Sequence, residues 1–180
     1  MNPGRPKSQP PLEVDIRPAT LADVSSLAQT VRLGFETYRA FAPAGWEPPP
    51  VVAEEARIAD RLPLPDAWCR IAEAGGEPAG HVGILARRES ITDRTPIPAE
   101  GYLWMLFVRE PWWGTGLAIR LHRLAIDEAA ARGYERMRLV TPAGQRRSRA
   151  FYEREGWQTD GSETFEAVLG LDLVTYRRPV

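Results

Sequence analysis

Several residue types are scarce in this 180-residue chain. It has one cysteine, Cys69, and two histidines, His81 and His122. A lone cysteine excludes an internal disulfide framework and a cysteine-rich zinc site. The histidines lie far apart without ligand spacing, which argues against a zinc hydrolase, and no metal is expected. Lys7 is the only lysine; all other cations are arginines, so the core offers no Schiff-base lysine. No run of about 18 apolar residues exists to span a membrane. The opening Met1-Asn2-Pro3-Gly4-Arg5-Pro6 lacks the apolar centre of a signal peptide, and a cytoplasmic location is expected. The formal net charge of −1 leaves no basic excess for a dedicated nucleic-acid binder.

What is present suits one soluble domain: 43% hydrophobic and 26% charged residues. Residues 1–12, rich in proline and poor in apolar side chains, read as a disordered or loosely attached arm, and residues 13–180 as a single domain. Val14-Asp15-Ile16-Arg17 alternates and stops at Pro18, a short strand. Thr20 and Asp23 then mark a helix start, and Val24, Leu27, Val31, Phe35 and Tyr38 recur at helical spacing, predicting a helix to about Phe41. Seven prolines and glycines between 42 and 66 surround a shorter helix, Val52 to Leu62, in what reads as a binding loop or lid. Strands follow at Trp68–Glu73 and Pro78–Arg87 around the turn Gly75-Gly76. The apolar run Tyr102 to Val108 predicts a buried strand. Leu117 to Arg132 is a helix closed by Gly133. Met137 to Val140 is a strand, Arg147 to Glu155 a helix, and Trp157–Thr159 and Leu171–Arg177 two last strands. This order predicts a mixed sheet with helices on both faces.

The segment Trp113-Gly114-Thr115-Gly116-Leu117-Ala118 carries the most chemistry. It joins a buried strand to a helix start, where free amides and the helix dipole favour an anion. Two glycines let a phosphate approach the backbone, so pyrophosphate binding is the predicted chemistry. A P-loop would need Gly-Lys-Ser/Thr, and a dinucleotide fold would need a glycine where Ile119 stands and an acid near Val140-Thr141-Pro142. A plain tight turn with structural glycines is the remaining alternative.

The chain resembles the GNAT acyltransferase superfamily from about Val14 to Arg177, most closely from Tyr102 to Trp157. The family loop Gln/Arg-x-x-Gly-x-Gly/Ala is matched by Trp113-x-x-Gly116-x-Ala118, with Trp113 in place of the basic residue. The family's aromatic-Tyr before Gly-aromatic is matched by Phe151-Tyr152 and Gly156-Trp157. Gln145 stands where the family often has Asn, and Ser148 where it often has Ala. The resemblance implies an α/β (α+β) fold with a mostly antiparallel sheet of about seven strands. It also implies an N-acyltransferase using acetyl-CoA. Leu106, Phe107 and Val108 would pair with the pantetheine arm, and the amides from Gly114 through Thr115, Gly116 and Leu117 to Ala118 would take the pyrophosphate. Gln145 and Ser148 would line the arm, and Arg147 would add a phosphate contact. The acceptor would be a small-molecule amine or a peptide N-terminus.

The reaction itself needs a donor for the carbonyl oxygen, an acid for the leaving thiolate and a base for the amine. An amide near Val108 suits the first need and Tyr152 the second; a packed aromatic is the alternative for Tyr152. Glu100, at the start of the central strand, is the candidate base, against a solvated loop residue. Glu54, Glu55 and Glu163 are further carboxylates without positional support. Cys69 has no neighbouring histidine, so direct transfer is preferred to an acyl-enzyme. His81 reads as an exposed or satisfied strand residue and His122 as part of a solvated helix face. Tyr38, Phe41 and Trp46 would form an apolar wall by the acceptor. The alternative function is a non-catalytic acyl-CoA-binding module. A nucleotide-binding domain is a third. Exposed strand edges leave room for a homodimer.

Overall fold

The computed structural model describes residues 13–89 and 95–180. The expected arm at 1–12 lies outside the described residues. β1 (Val14–Pro18) ends where proline removes a ladder donor. Thr20 N–H then donates to Asp23 Oδ2 at 2.7 Å, and Arg17 ties Asp23 (2.7 Å) to Glu73 (2.8 Å). Hydrogen bonding from Arg17 holds the Asp23 carboxyl down at about 2. α1 (Val24–Glu36) buries Leu27, Ala28, Val31 and Phe35. The helix expected to continue to Phe41 instead tightens to a 3-10 turn over Thr37–Ala40, where the Thr37 hydroxyl donates to Gly34 O at 2.6 Å. α2 (Val51–Arg61) starts directly after Pro48-Pro49-Pro50.

β2 (Trp68–Ala74) and β3 (Glu77–Ala86) form the predicted hairpin, with Gly75 and Gly76 at φ +59° and +82°. β4 (Glu100–Val108), α3 (Leu117–Ala131), β5 (Arg136–Pro142) and α4 (Arg146–Arg154) follow. The chain ends in the hairpin of β6 (Glu163–Glu166) and β7 (Leu171–Pro179). The strand expected at Trp157–Thr159 reduces to one bridge, Gln158 to Arg177. The seven strands lie in the order β1-β2-β3-β4-β5-β7-β6, antiparallel except where β4 meets β5. Among the described residues, no helix is long and apolar enough to cross a membrane.

Each face of the sheet carries its own core. α3 and α4 cover one with Leu121, Ala125, Ala129 and Tyr152 against Val82, Leu103, Leu139 and Val174. α1 and α2 cover the other with Leu27, Val31, Phe35 and Ile58 against Ile71, Leu85, Trp104 and Met105. Both histidines are buried, His122 contrary to the solvated helix face expected of it and His81 within the exposed-or-satisfied reading. His122 is 1% exposed because its Nε2 accepts the buried Trp157 indole N–H at 2.8 Å. His81, also 1% exposed, packs against Phe107 beneath α1.

Burial, with Arg178 and Arg123 adding to it, pulls the His122 imidazole down to about 4; burial, with Arg57 and Arg109, pulls His81 to about 3. The unfolded chain therefore binds more protons than the native state below the ordinary value of about 6.5, and stability falls as pH drops through that window. Each histidine accounts for up to about 2 kcal/mol between pH 7 and pH 5. The expected loss in melting temperature is on the order of 10 °C over that range. His122→Gln, which keeps an acceptor for Trp157 but does not titrate, halves the loss; a flat profile in the native chain from pH 7 to 5 overturns the account.

Candidate functional site

Parallel β4 and β5 pair only at Glu100 with Arg136, Gly101 with Met137 and Tyr102 with Arg138. Past Tyr102 they part, and β4 from Leu103 to Val108 keeps a strand partner on one side alone, β3. The register with β3 slips between Gly83 and Ile84, so Trp104 is an extra residue in β4. The bulge brings Trp104 and Met105, adjacent in sequence, into the same core under α1 and α2. Gly83 makes room for it: a Cβ there would stand 2.6 Å from the Trp104 indole nitrogen.

Alternation then fixes which backbone groups face the gap. Arg109 N–H donates to Ala79 O at 2.9 Å, so Phe107 and Arg109 bond towards β3, and Leu106 and Val108 turn their amides and carbonyls towards the gap. Phe107, expected to offer its backbone there, offers its ring to the opposite core instead. The ring packs edge-on to Phe35 and so close to α1 that a Cβ on Gly34 would come within 2.4 Å.

The turn after β4 leaves donors free. Gly114 and Gly116 take φ of +77° and +88°, the left-handed region that glycine enters without strain. Thr115 is held by its hydroxyl on Trp112 O at 2.7 Å. Among the described residues, the amides of Gly114, Gly116, Ala118 and Ile119 have no acceptor. Together with the N-terminus of a 15-residue helix they form a concave set of donors suited to a phosphate group.

Trp113 sits between these two features. Its indole N–H donates to Val108 O at 2.7 Å, and the Arg147 guanidinium lies 3.9 Å from its ring centre. The cation missing from position 113 is thus supplied from the start of α4. Gln145, just before α4, donates to the Thr37 hydroxyl at 3.3 Å and spans from α4 to the end of α1; Ser148 is half-buried one turn on.

Tyr152 is 8% exposed on α4, packed edge-on to Phe151 and Trp157. Among the described residues its hydroxyl has no hydrogen-bond partner. Burial, aided by Tyr38 and Tyr102, raises its pKa, so it holds its proton. Tyr38, Phe41 and Trp46 stack at 5.5 and 6.4 Å, the wall expected from sequence. The Trp46 indole ties this wall to Leu169 O at 2.7 Å, before β7.

Glu100 is not brought to this site. It stands at the paired end of β4, roughly 25 Å along the strand from Val108. Its carboxylate is held by Arg87 (2.6 Å) and Arg136 (3.1 Å), and hydrogen bonding from Arg87 lowers its pKa. Such an anion, doubly paired and distant, is a clamp on the strand start rather than a base. The carboxylate that does lie inward is Glu54, 6% exposed on α2 and bonded by Arg57 Nε at 2.9 Å. Its signal in the sequence is its place on the inner stripe with Ile58, where a charged residue is unusual.

A family model described as the acetyltransferase (GNAT) family matches residues 33–157. No curated protein matches the chain by sequence. Among solved structures, the PaiA N-acetyltransferase from Thermoplasma acidophilum, in complex with coenzyme A, superposes with TM-score 0.72 at 13% identity, covering 94% of this chain and 100% of that one. An N-acetyltransferase from Staphylococcus aureus Mu50 gives 0.69 at 17% identity, with 93% and 98% covered. A ribosomal-protein-alanine N-acetyltransferase from Brucella melitensis gives 0.68 at 20% identity, with 92% and 99% covered. At these identities the likeness establishes the fold.

The left-handed turn is open to a direct check. Gly116→Ala meets no neighbouring atom but carries the strain of φ +88°, about 1–2 kcal/mol. Its melting temperature is expected about 2–8 °C below the native chain by calorimetry, and an unchanged value contradicts the geometry.

Proposed function

The chain belongs to the acetyltransferase (GNAT) family, and we propose that it moves an acetyl group from acetyl-CoA to an amine by direct attack in a ternary complex. The observation that carries this reading is the half-paired edge of β4 running into four free amides. An extended amide-bearing arm followed by a pyrophosphate matches that sequence of groups. Leu106 and Val108 would bond the arm, and the amides of Gly114, Gly116, Ala118 and Ile119 would hold the pyrophosphate. Arg147, with its ring platform Trp113, would add positive charge at the mouth. Gln145 and Ser148 would flank the arm from the α4 side.

Bound acetyl-CoA would supply a thioester, whose carbonyl carbon accepts an amine and releases a thiol. The overall change is balanced: a C–N bond forms, the C–S bond breaks, and the ammonium acceptor gives up two protons, one to the departing sulfur and one to solvent. The Leu106 N–H, further along β4 from the turn than Val108, also faces the gap and would meet the oxygen on which charge develops. Tyr152 would donate a hydrogen bond to the departing sulfur. Its raised pKa keeps it protonated, and a thiol near 8.5 is too weak a base to take that proton fully, so its help lies in stabilising charge as the bond breaks. Glu54 replaces Glu100 as the carboxylate favoured to draw the proton from the incoming amine.

Acetyl-CoA is expected to raise the melting temperature in a concentration-dependent way. Tyr152→Phe should keep that shift while kcat, followed by thiol release, falls about 10- to 100-fold. No shift with acetyl-CoA at millimolar concentration overturns the reading, and an unchanged kcat removes Tyr152 from it.

A further inference from the structure

The inner face of α2 is charged where an ordinary amphipathic helix would be apolar. Positions 54, 57, 58 and 61 share one face, and only Ile58 is hydrophobic, whereas Val52, on another face, is 68% exposed. Arg57 and Arg61 both lie over the Trp104 ring, at 5.4 and 5.7 Å from its centre. Arg57 is paired with Glu54. Arg61 has no carboxylate partner among the described residues. From the sheet side, Arg138 stands opposite Tyr102 in the last bonded pair before β4 and β5 part. One of its terminal nitrogens reaches the Thr175 hydroxyl at 3.2 Å, and its buried Nε has no partner.

Among the described residues, neither Arg61 nor Arg138 is paired with a carboxylate, although Glu54 and Asp60 act on Arg61 and Glu100 on Arg138. Burial lowers the pKa of both Arg61 and Arg138, whereas Arg17 and Arg39, paired with carboxylates, are raised. Arg61, Arg57, Arg138 and Glu166 act on the Tyr102 hydroxyl, with Arg57 already paired to Glu54 and one oxygen of Glu166 accepting the Leu169 N–H at 2.6 Å. Tyr102 lies on the same strand as Leu106, four residues before it, where β4 leaves β5. All three of Arg61, Tyr102 and Arg138 keep partial exposure, so a ligand can reach them.

We propose that Arg61 and Arg138 bind a carboxylate carried by the acceptor, making the substrate a small amino acid-like amine rather than the N-terminus of a protein. This rests on the acetyltransferase reading above. A planar carboxylate fits the edge of a guanidinium. The wall of Tyr38, Phe41 and Trp46 then suits an apolar side chain. A protein N-terminus carries a peptide group in place of that carboxylate and leaves the two cations unpaired.

The test compares amines that differ only in the carboxylate: L-phenylalanine with phenethylamine, and L-tryptophan with tryptamine, each with acetyl-CoA. The expected kcat/KM favours the amino acids by about 10- to 100-fold, and Arg61→Gln brings the ratio to within about 3-fold. Arg138→Gln does the same, and a defect in folding alone lowers both members of a pair equally. A ratio near one in the native chain, or one that survives both substitutions, overturns the proposal and leaves the transferase standing. Calorimetric binding of N-acetyl-L-phenylalanine against N-acetylphenethylamine, with CoA present, reads the pocket without turnover. If no amine reacts, the transferase reading falls. Tighter binding of the carboxylate product, lost in Arg61→Gln, then still supports the pocket, and equal binding overturns it.

Discussion

β4 and β5 run parallel and bond from Glu100 to Tyr102, then separate, and this parting organises the site. A sheet interior normally satisfies every backbone group on both sides of a strand. Here Leu106 and Val108 turn their amides and carbonyls to a gap, and β5 is held from its far side by β7 along its whole length. The clamp of Arg87, Glu100 and Arg136 at the paired end keeps the parting at one place. The bulge at Trp104 falls just beyond it, and the turn of free amides falls at the open end. Proposed arm, phosphate and acceptor positions are thus set along a single strand.

The two faces of the sheet divide the work. The α3 and α4 face is dense, with a buried histidine and tryptophan bonded to each other and Tyr152 packed beside them. The α1 and α2 face is less regular. Its charged inner stripe on α2, Arg61 and Arg138 without a carboxylate partner among the described residues, and its aromatic wall fit a face built around a ligand rather than around itself. Partly buried cations without a carboxylate are costly, and a chain that keeps two of them beside Tyr102 has a use for them.

Much of the site was legible in the sequence. The run Tyr102–Val108, the glycine turn and Phe151-Tyr152 with Gly156-Trp157 stood out because each carries a strong local signal: apolar continuity, left-handed glycines, and an ordered motif. The departures have physical causes. The Trp104 bulge breaks the period of two that strand reading assumes. β6 is an edge strand of mostly exposed residues, with Phe165 64% exposed, so it has no buried alternation to detect. His122 looked solvated between two arginines because its partner, Trp157, is 35 residues away. Glu100 looked catalytic by position along the strand, yet its role follows from Arg87 and Arg136, which only the fold brings to it.

The single bond from the Trp46 indole to Leu169 O joins parts of the chain 123 residues apart. It makes the aromatic wall after α1 and the connection between β6 and β7 one continuous rim. The long proline-rich segment therefore does not move as a free flap; any widening of the rim on one side must be matched on the other. Variation in acceptor among chains built this way would then need paired changes, in the segment before α2 and in the final hairpin, with β4 left alone.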